Sequence, residues 1–181
     1  FKETLFKLGE TPLPKWVREK VEPEDAERYQ TIFASKEGAV AAPTAGMHFS
    51  KHLFKRMEIK GIEKAFITLH VGLGNFRTVD VEDLSKHKMD SEQFFVDEPT
   101  AETVNKTKRE GHKIVSIGTT VMRTLETAVS TGGMIKPMEG WTNKFIFAPY
   151  EFTVADAMVT NFHLPYSTQL MMVAAFGGYE T

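Results

Sequence analysis

The sequence contains no cysteine in 181 residues. That absence removes disulfides, thiolate nucleophiles and cysteine-bound zinc or iron–sulfur clusters together. A reducing cytoplasm fits it, as weak support. Nor is there an apolar run approaching the ~20 residues of a membrane helix, or a basic-then-apolar leader at the start. Basic excess is missing too: 22 Lys and Arg against 24 Asp and Glu give a net charge of −2 with histidine neutral. A dedicated nucleic-acid binder usually carries surplus positive charge. Composition therefore gives no support to an RNA partner, which a local basic patch or residues outside this chain would have to supply. Repeats and low-complexity segments are absent. What remains, 41% hydrophobic and 25% charged, suits one globular domain with its own core. Phe1 rather than methionine opens the chain, and Gly177-Gly178-Tyr179-Glu180-Thr181 closes it. It is expected to be a piece of a longer polypeptide.

Thr11-Pro12-Leu13-Pro14-Lys15 reads as an extended lead-in, and Asp25 to Ala34 as a helix with Pro23 and Glu24 in its first turn. Gly38 to Ala42 is a small-residue strand candidate, followed by the polar loop Pro43 to Phe49. Ser50 then caps a helix with Leu53, Phe54 and Met57 on its apolar face and Gly61 as its stop. Ala65 to Val71 is rich in β-formers and runs into Gly72-Leu73-Gly74-Asn75-Phe76. A short strand is expected around Phe94-Phe95-Val96, and a helix over Thr100 to Glu110 closed by Gly111. Lys113 to Ile117 reads as a strand, Gly118-Thr119-Thr120 as a tight loop, and Val121 to Ser130 as a helix. Phe145-Ile146-Phe147 and Ala157 to Thr160 are further strands, and Ser167 or Thr168 caps a helix to Phe176. Strand–loop–helix units starting near Gly38, Lys113 and Ala157 argue for an α/β fold with largely parallel strands. In such folds the loops leaving the carboxyl ends of the strands line the active site, and the chemically rich residues of this chain sit in those loops.

Four clusters carry that chemistry. Thr44, His48 and His52 form the first; the histidines are four apart and would share a helix face. The pair lacks the glutamate of a zinc-protease motif and a third ligand, so a loop histidine beside a solvated one explains it better than a metal. Thr68 to Gly74 is the second: Gly72 and Gly74 let backbone approach a ligand, though a plain strand end with a glycine turn reads the same. The third, Gly118 to Glu126, sets hydroxyls and free amides at a helix start, suited to an anion. Arg123 and Glu126, three apart, would pair on that helix as a surface ion pair worth little. In the fourth, Thr160 to Thr168, Asn161 can donate and accept with a base edge. His163 titrates near neutral pH. His87 and Glu92 form a further acid/base pair, or simply part of a solvated charged loop.

Together these segments resemble the S-adenosylmethionine:tRNA ribosyltransferase-isomerase family of queuosine biosynthesis. The matching stretches are Leu8 to Pro14, Asp25 to Thr31, Ala41 to Phe49, Thr68 to Gly74, Gly118-Thr119-Thr120 with Arg123 to Glu126, and Thr160 to Pro165 with Ser167-Thr168. Each is weak alone; six in family order are specific. The family pattern usually has threonine where Asn75 stands and a second histidine where Asp90 stands, which puts the roles of those two positions in doubt. Family members are longer, with an N-terminal segment, an inserted small β-barrel domain and a C-terminal extension not found here. The resemblance implies that residues 1–181 are a single α/β catalytic domain, barrel-like with helices outside, from a longer two-domain protein.

The resemblance further implies the reaction. The acceptor is 7-aminomethyl-7-deazaguanine (preQ1) at the wobble position of a tRNA. S-adenosylmethionine donates its ribosyl group, which is rearranged to give epoxyqueuosine, releasing adenine and methionine. No metal or redox cofactor is implied, and the enzyme is expected to be a cytoplasmic monomer. Such chemistry needs a base at the ribose carbon beside the sulfonium, a neutral aminomethyl group and a proton for departing adenine. Candidates are His48, His70 and His163 for proton transfer, with Glu126 or Glu92 as carboxylate. Thr119, Thr120 and Arg123 would hold the methionine carboxylate or a tRNA phosphate, and Asn161 would read a base edge. Thr44, Gly72, Gly74, Ser167 and Thr168 complete the binding set. Phe49, Phe162 and Tyr166 are positioned in sequence to stack on splayed bases, with core packing the commoner use of a phenylalanine. Two rivals stand beside this reading: a metal-dependent hydrolase on an α/β barrel using His48, His52, His70 and His163, and a non-catalytic RNA-binding module.

Overall fold

Strict alternation in Glu92–Val96 makes this segment, β2, the centre of the fold: Glu92, Phe94 and Val96 are buried, while Gln93 and Phe95 face the other side and are half-buried. The computed structural model describes residues 2–14, 17 and 20–180. In it β2 pairs antiparallel with β1 (Thr68–Leu69) on one side and β4 (Met138–Thr142) on the other. The register sets Leu69 opposite Phe94 and Glu92 opposite Thr142. A second sheet has two parallel strands, β3 (Val115–Ile117) and β5 (Ala157–Val159).

The helices are α1 (Lys2–Leu8), α2 (Asp25–Arg28), α3 (Lys51–Ile59), α4 (Glu98–Arg109), α5 (Thr119–Ala128) and α6 (Thr168–Gly177). Their starts follow capping chemistry. Ser50 Oγ accepts from the Leu53 amide at 3.1 Å, Asp97 Oδ1 from Thr100 at 2.9 Å and Ser167 Oγ from Leu170 at 3.2 Å. The expected stops also hold, with Gly61 and Gly111 at φ +71° and +72°.

Helix α5 touches β1, β2 and β4 of one sheet and β3 of the other. Met122 is fully buried, and Leu125, Ala128, Phe94, Ile135 and Ile146 surround it in the core. A helix between two sheets is buried on several faces, and that fate extends to Arg123, Thr124 and Glu126.

The mixed α/β character expected from sequence is present, but the largely parallel arrangement is not. Among the described residues the three-stranded sheet is antiparallel, and β3–β5 is the parallel pair. Gly38 to Ala42 is not a strand; it runs extended beside β1, where Val40 N donates to Val71 O at 2.8 Å. The helix expected over Asp25 to Ala34 shortens to α2. Phe145 to Phe147 lacks strand pairing and buries Ile146 instead. β4 supplies the unexpected strand, its pattern interrupted by Gly140 opposite Phe94. Of the extended lead-in, Thr11 to Pro14 has no regular structure, and Lys15 lies outside the described residues.

Gly38 has φ +146°, and a Cβ there would stand 2.7 Å from the His70 ring. Gly38→Ala should therefore destabilise the protein by roughly 1–3 kcal/mol. Chemical denaturation checks this; unchanged stability would place the His70 ring elsewhere.

Candidate active site

The loops after the strands converge at the start of α5. Gly118 adopts φ +98° and ψ 150°, open to glycine but not to ordinary side chains. Its amide donates to Val159 O at 2.8 Å, tying the β3 exit to the β5 exit. The Cβ position of Gly118 lies 3.7 Å from Ala45 Cβ, so the 3-10 turn Thr44–His48 packs against the same corner.

From that turn His48, solvent-exposed, reaches the β5 loop: Asn161 Nδ2 lies 3.2 Å from His48 Nε2. With the amide donating, His48 Nε2 is the acceptor of this hydrogen bond. Asn161 Oδ1 is then buried with no hydrogen-bond partner, an unmet acceptor of the kind a ligand donor satisfies. Two residues on, His163 Nε2 lies 3.0 Å from Thr160 Oγ1. Desolvation lowers the His163 pKa from its usual value, which favours the neutral, proton-accepting form.

Two small adjoining clefts open beside this corner, sharing Asn75, Met89 and Thr168. Thr119, Thr120 and Arg123 of α5 line the first, with Lys144 and Gln169. Gly74 and Glu92 line the second. Arg123 and Glu92 form a buried ion pair, their side chains 7% and 4% exposed. The other Glu92 oxygen accepts from Gly72 N at 2.7 Å. Burial pulls the Arg123 pKa down to about 10, so the guanidinium keeps its charge at neutral pH.

A family model described as "Queuosine biosynthesis protein" matches residues 1–181. The chain belongs to the queuosine biosynthesis protein family. It is 66% identical over 180 residues to the S-adenosylmethionine:tRNA ribosyltransferase-isomerase of Phocaeicola vulgatus, covering 99% of this chain and 51% of that protein. A protein of the same name from Parabacteroides distasonis is 65% identical, covering 99% and 52%. The crystal structure of a Thermotoga maritima S-adenosylmethionine tRNA ribosyltransferase superposes with a TM-score of 0.58 at 38% identity, covering 75% of this chain and 42% of that one. The chain thus spans about half the length of the curated relatives it matches.

Within this family domain the expected site residues divide. His48, Asn161 and His163 share one corner, as does Thr44 in the turn, while Ser167 serves as the α6 cap. Thr119, Thr120, Arg123, Thr168, Gly74 and Glu92 share the clefts. His70 stands apart: its ring packs edge-on against Phe95 at 5.8 Å between centroids. Phe95 lies on the sheet face opposite Glu92. Gly72 contributes its amide to Glu92.

Two expected pairings are corrected. Arg123 does not pair with Glu126, because α5 is sandwiched between sheets and each charge finds a partner from another element. Glu126, 1% exposed, accepts from the Thr153 and Val154 amides at 2.9 and 3.0 Å and from the Tyr150 hydroxyl at 3.1 Å. Its carboxylate anchors residues 150–154, and burial, then the Glu126 charge, push the Tyr150 phenol up to about 12. Glu126→Gln should cost about 1–3 kcal/mol through its unmet amides; an unchanged denaturation midpoint would remove that anchoring role. His87 likewise does not pair with Glu92: it stacks on Phe145 at 5.0 Å. His48 and His52 do not share a helix either, since α3 begins at Lys51. Among the described residues no group of three or more His, Asp and Glu side chains is placed to hold a metal.

Sequence reasoning missed Lys144 and Gln169. Lys144 follows a strand that was not expected. Gln169 is fixed by its amide, which donates to Asn75 O at 3.2 Å and to Asn75 Oδ1. The departure from the family pattern at Asn75 was the one clue to that contact.

Proposed function

We propose that the protein carrying this chain transfers and isomerises the ribosyl group of S-adenosylmethionine onto preQ1 in the tRNA wobble position. The products are epoxyqueuosine, adenine and methionine. The observation that carries this reading is identity of 65–66% over nearly the whole chain to enzymes named for that reaction. The geometry supports it: the β5 loop sets Asn161 against His48 and carries His163 two residues on, and its start is tied to Gly118 at the head of α5, whose Thr119 and Thr120 line a cleft.

In this account His48 or His163 takes the proton from the ribose carbon beside the sulfonium, burial favouring the neutral, proton-accepting form of His163. The aminomethyl group, deprotonated, then attacks the ribosyl unit; adenine departs with a proton returned by the protein, and methionine follows. Asn161 Oδ1 receives an N–H donor from a base edge. Arg123 and Glu92, locked to one another, shape the cleft, and Glu126 and His70 serve the fold. No metal or redox cofactor enters these steps, in which the histidines move the protons and Asn161 holds the base edge. The parallel barrel, if completed, takes further strands from outside these residues. The protein acts as a cytoplasmic monomer; none of its helices among the described residues is long and apolar enough to cross a membrane.

Phe162 is fully exposed and Tyr166 largely so, flanking His163. Neither packs into the core, so both are free to stack on anticodon bases. Phe162→Ala should weaken tRNA binding by roughly 5- to 150-fold, the value of about 1–3 kcal/mol per stacked base, without changing stability. Equal tRNA affinity in a filter-binding assay would remove the residue from the interface.

The reading as a whole is tested by incubating the full-length protein with S-adenosylmethionine and preQ1-containing tRNA. Adenine and a nucleoside of the epoxyqueuosine mass are expected, unchanged after chelator treatment. Loss of activity on chelation, restored by zinc or manganese, would turn the assignment toward metal-dependent chemistry.

A further inference from the structure

We infer that Lys144, together with the converging starts of α5 and α6, forms the pocket for the α-carboxylate of the methionyl group. This rests on the family reading above and deepens it. Both helices have ten residues and point their first turns into the same cleft: Thr119 and Thr120 from α5, Thr168 and Gln169 from α6. The amides of a first helical turn have no intrahelical acceptor and carry a partial positive charge. At α5 the N-cap is Gly118, which has no side chain to satisfy them. At α6 Ser167 engages the Leu170 amide, which leaves the Thr168 and Gln169 amides open.

Two side chains point independently to a ligand. Thr119 and Thr168 are only 9% and 8% exposed, yet neither hydroxyl bonds to any described protein group. Both line the cleft. Threonines this buried ordinarily hydrogen-bond within the protein, and these two line a cleft instead.

Charge completes the site. Arg123, the cation read from sequence, is committed to Glu92. Lys144 has no carboxylate partner among the described residues: it is half-buried, and its Nζ donates to the Tyr150 hydroxyl at 3.5 Å and lies 5.8 Å from that ring. A half-buried ammonium beside two helix starts and two unmet hydroxyls matches a small, fixed oxyanion. A carboxylate and a phosphodiester share that chemistry. The enclosure of the two threonines favours the carboxylate of a small substrate over a polymer backbone.

The test is calorimetric binding of S-adenosylmethionine and of its decarboxylated analogue to full-length wild type, Lys144→Ala, Lys144→Arg and Thr168→Val. Lys144→Ala should weaken S-adenosylmethionine binding tenfold or more, Lys144→Arg should restore much of it, and Thr168→Val should weaken it severalfold. The decarboxylated analogue should bind wild type and all three variants alike. Equal losses for both ligands, or no loss for either, would overturn the assignment. So would a fall of about one in the salt slope of tRNA binding in Lys144→Ala, which would make the site a phosphate pocket. If wild type bound neither sulfonium compound, the family reading itself would fail, an outcome distinct from a variant-specific failure.

Discussion

Arg123→Met is expected to destabilise the protein by about 3–5 kcal/mol, the usual cost of removing one member of a buried ion pair. The loss of attraction is the smaller part of that figure. Glu92 would remain 4% exposed with its charge uncompensated, holding only the Gly72 amide. Its neighbours on β2 cannot move to relieve it, because Phe94 and Val96 are core residues. Removing both charges with Glu92→Leu and Arg123→Met should therefore be milder than the single change, leaving the Gly72 amide unmet at about 1–3 kcal/mol. Urea denaturation of the three proteins decides it. A single variant within 1 kcal/mol of wild type, or a double variant worse than the single, would contradict the buried pair.

The second large effect is on turnover. His48→Ala should lower single-turnover adenine release by roughly 10²- to 10⁴-fold, the range for a positioned acid or base, and Asn161→Ala should lower it as well, by releasing both the His48 ring and the base edge it reads. Because the two side chains touch, their effects should not add: the double variant should be little slower than the worse single. His48 is exposed and Asn161 only half-buried, so stability should hardly change. His70→Ala supplies the contrast. Its ring packs on Phe95 across the sheet from Glu92, so that variant should lose stability while any folded fraction keeps its turnover. Fully active His48→Ala and Asn161→Ala proteins would remove the pair from the mechanism.

Legibility of this chain from sequence followed the range of the interactions. Helix α4 was readable from its composition and its local stop at Gly111; its Asp97 cap and Pro99, equally local, start it two residues before the expected Thr100. β2 was readable only through the β-forming run Phe94-Phe95-Val96; its start at Glu92 was not, since a glutamate on the buried face hides the alternation. β4 was not, since Gly140 breaks its pattern and the strand is stabilised by pairing with β2 some 45 residues away in sequence. The helical reading of residues 29–34 failed for a related reason: local propensity there is overridden by Phe33, which packs on Phe54 and Phe66 at 5.9 and 5.2 Å.

The site divided in the same way. The segments at 44–48, 118–123 and 160–168 announced themselves through hydroxyls, histidines and glycine at loop positions, and the fold brings them to one corner. Partner identity was not written locally. Three-residue spacing suggested Arg123 with Glu126, yet the burial of α5 between two sheets sends Arg123 to Glu92, 31 residues away, and Glu126 to the 150–154 loop. His70 looked equivalent to His48 and His163 in sequence. The antiparallel register of β1 and β2 sends its ring to the other face.

The most direct test of the account is where S-adenosylmethionine sits in a crystal of the full-length protein. The account predicts the ribosyl carbon beside the sulfonium within hydrogen-bonding reach of His48 or His163, directly or through one water, with an adenine donor on Asn161 Oδ1 and the methionyl carboxylate between Thr119, Thr168 and Lys144. A donor bound beside His70 on the opposite sheet face, with His48 and Asn161 out of reach of it, would contradict it.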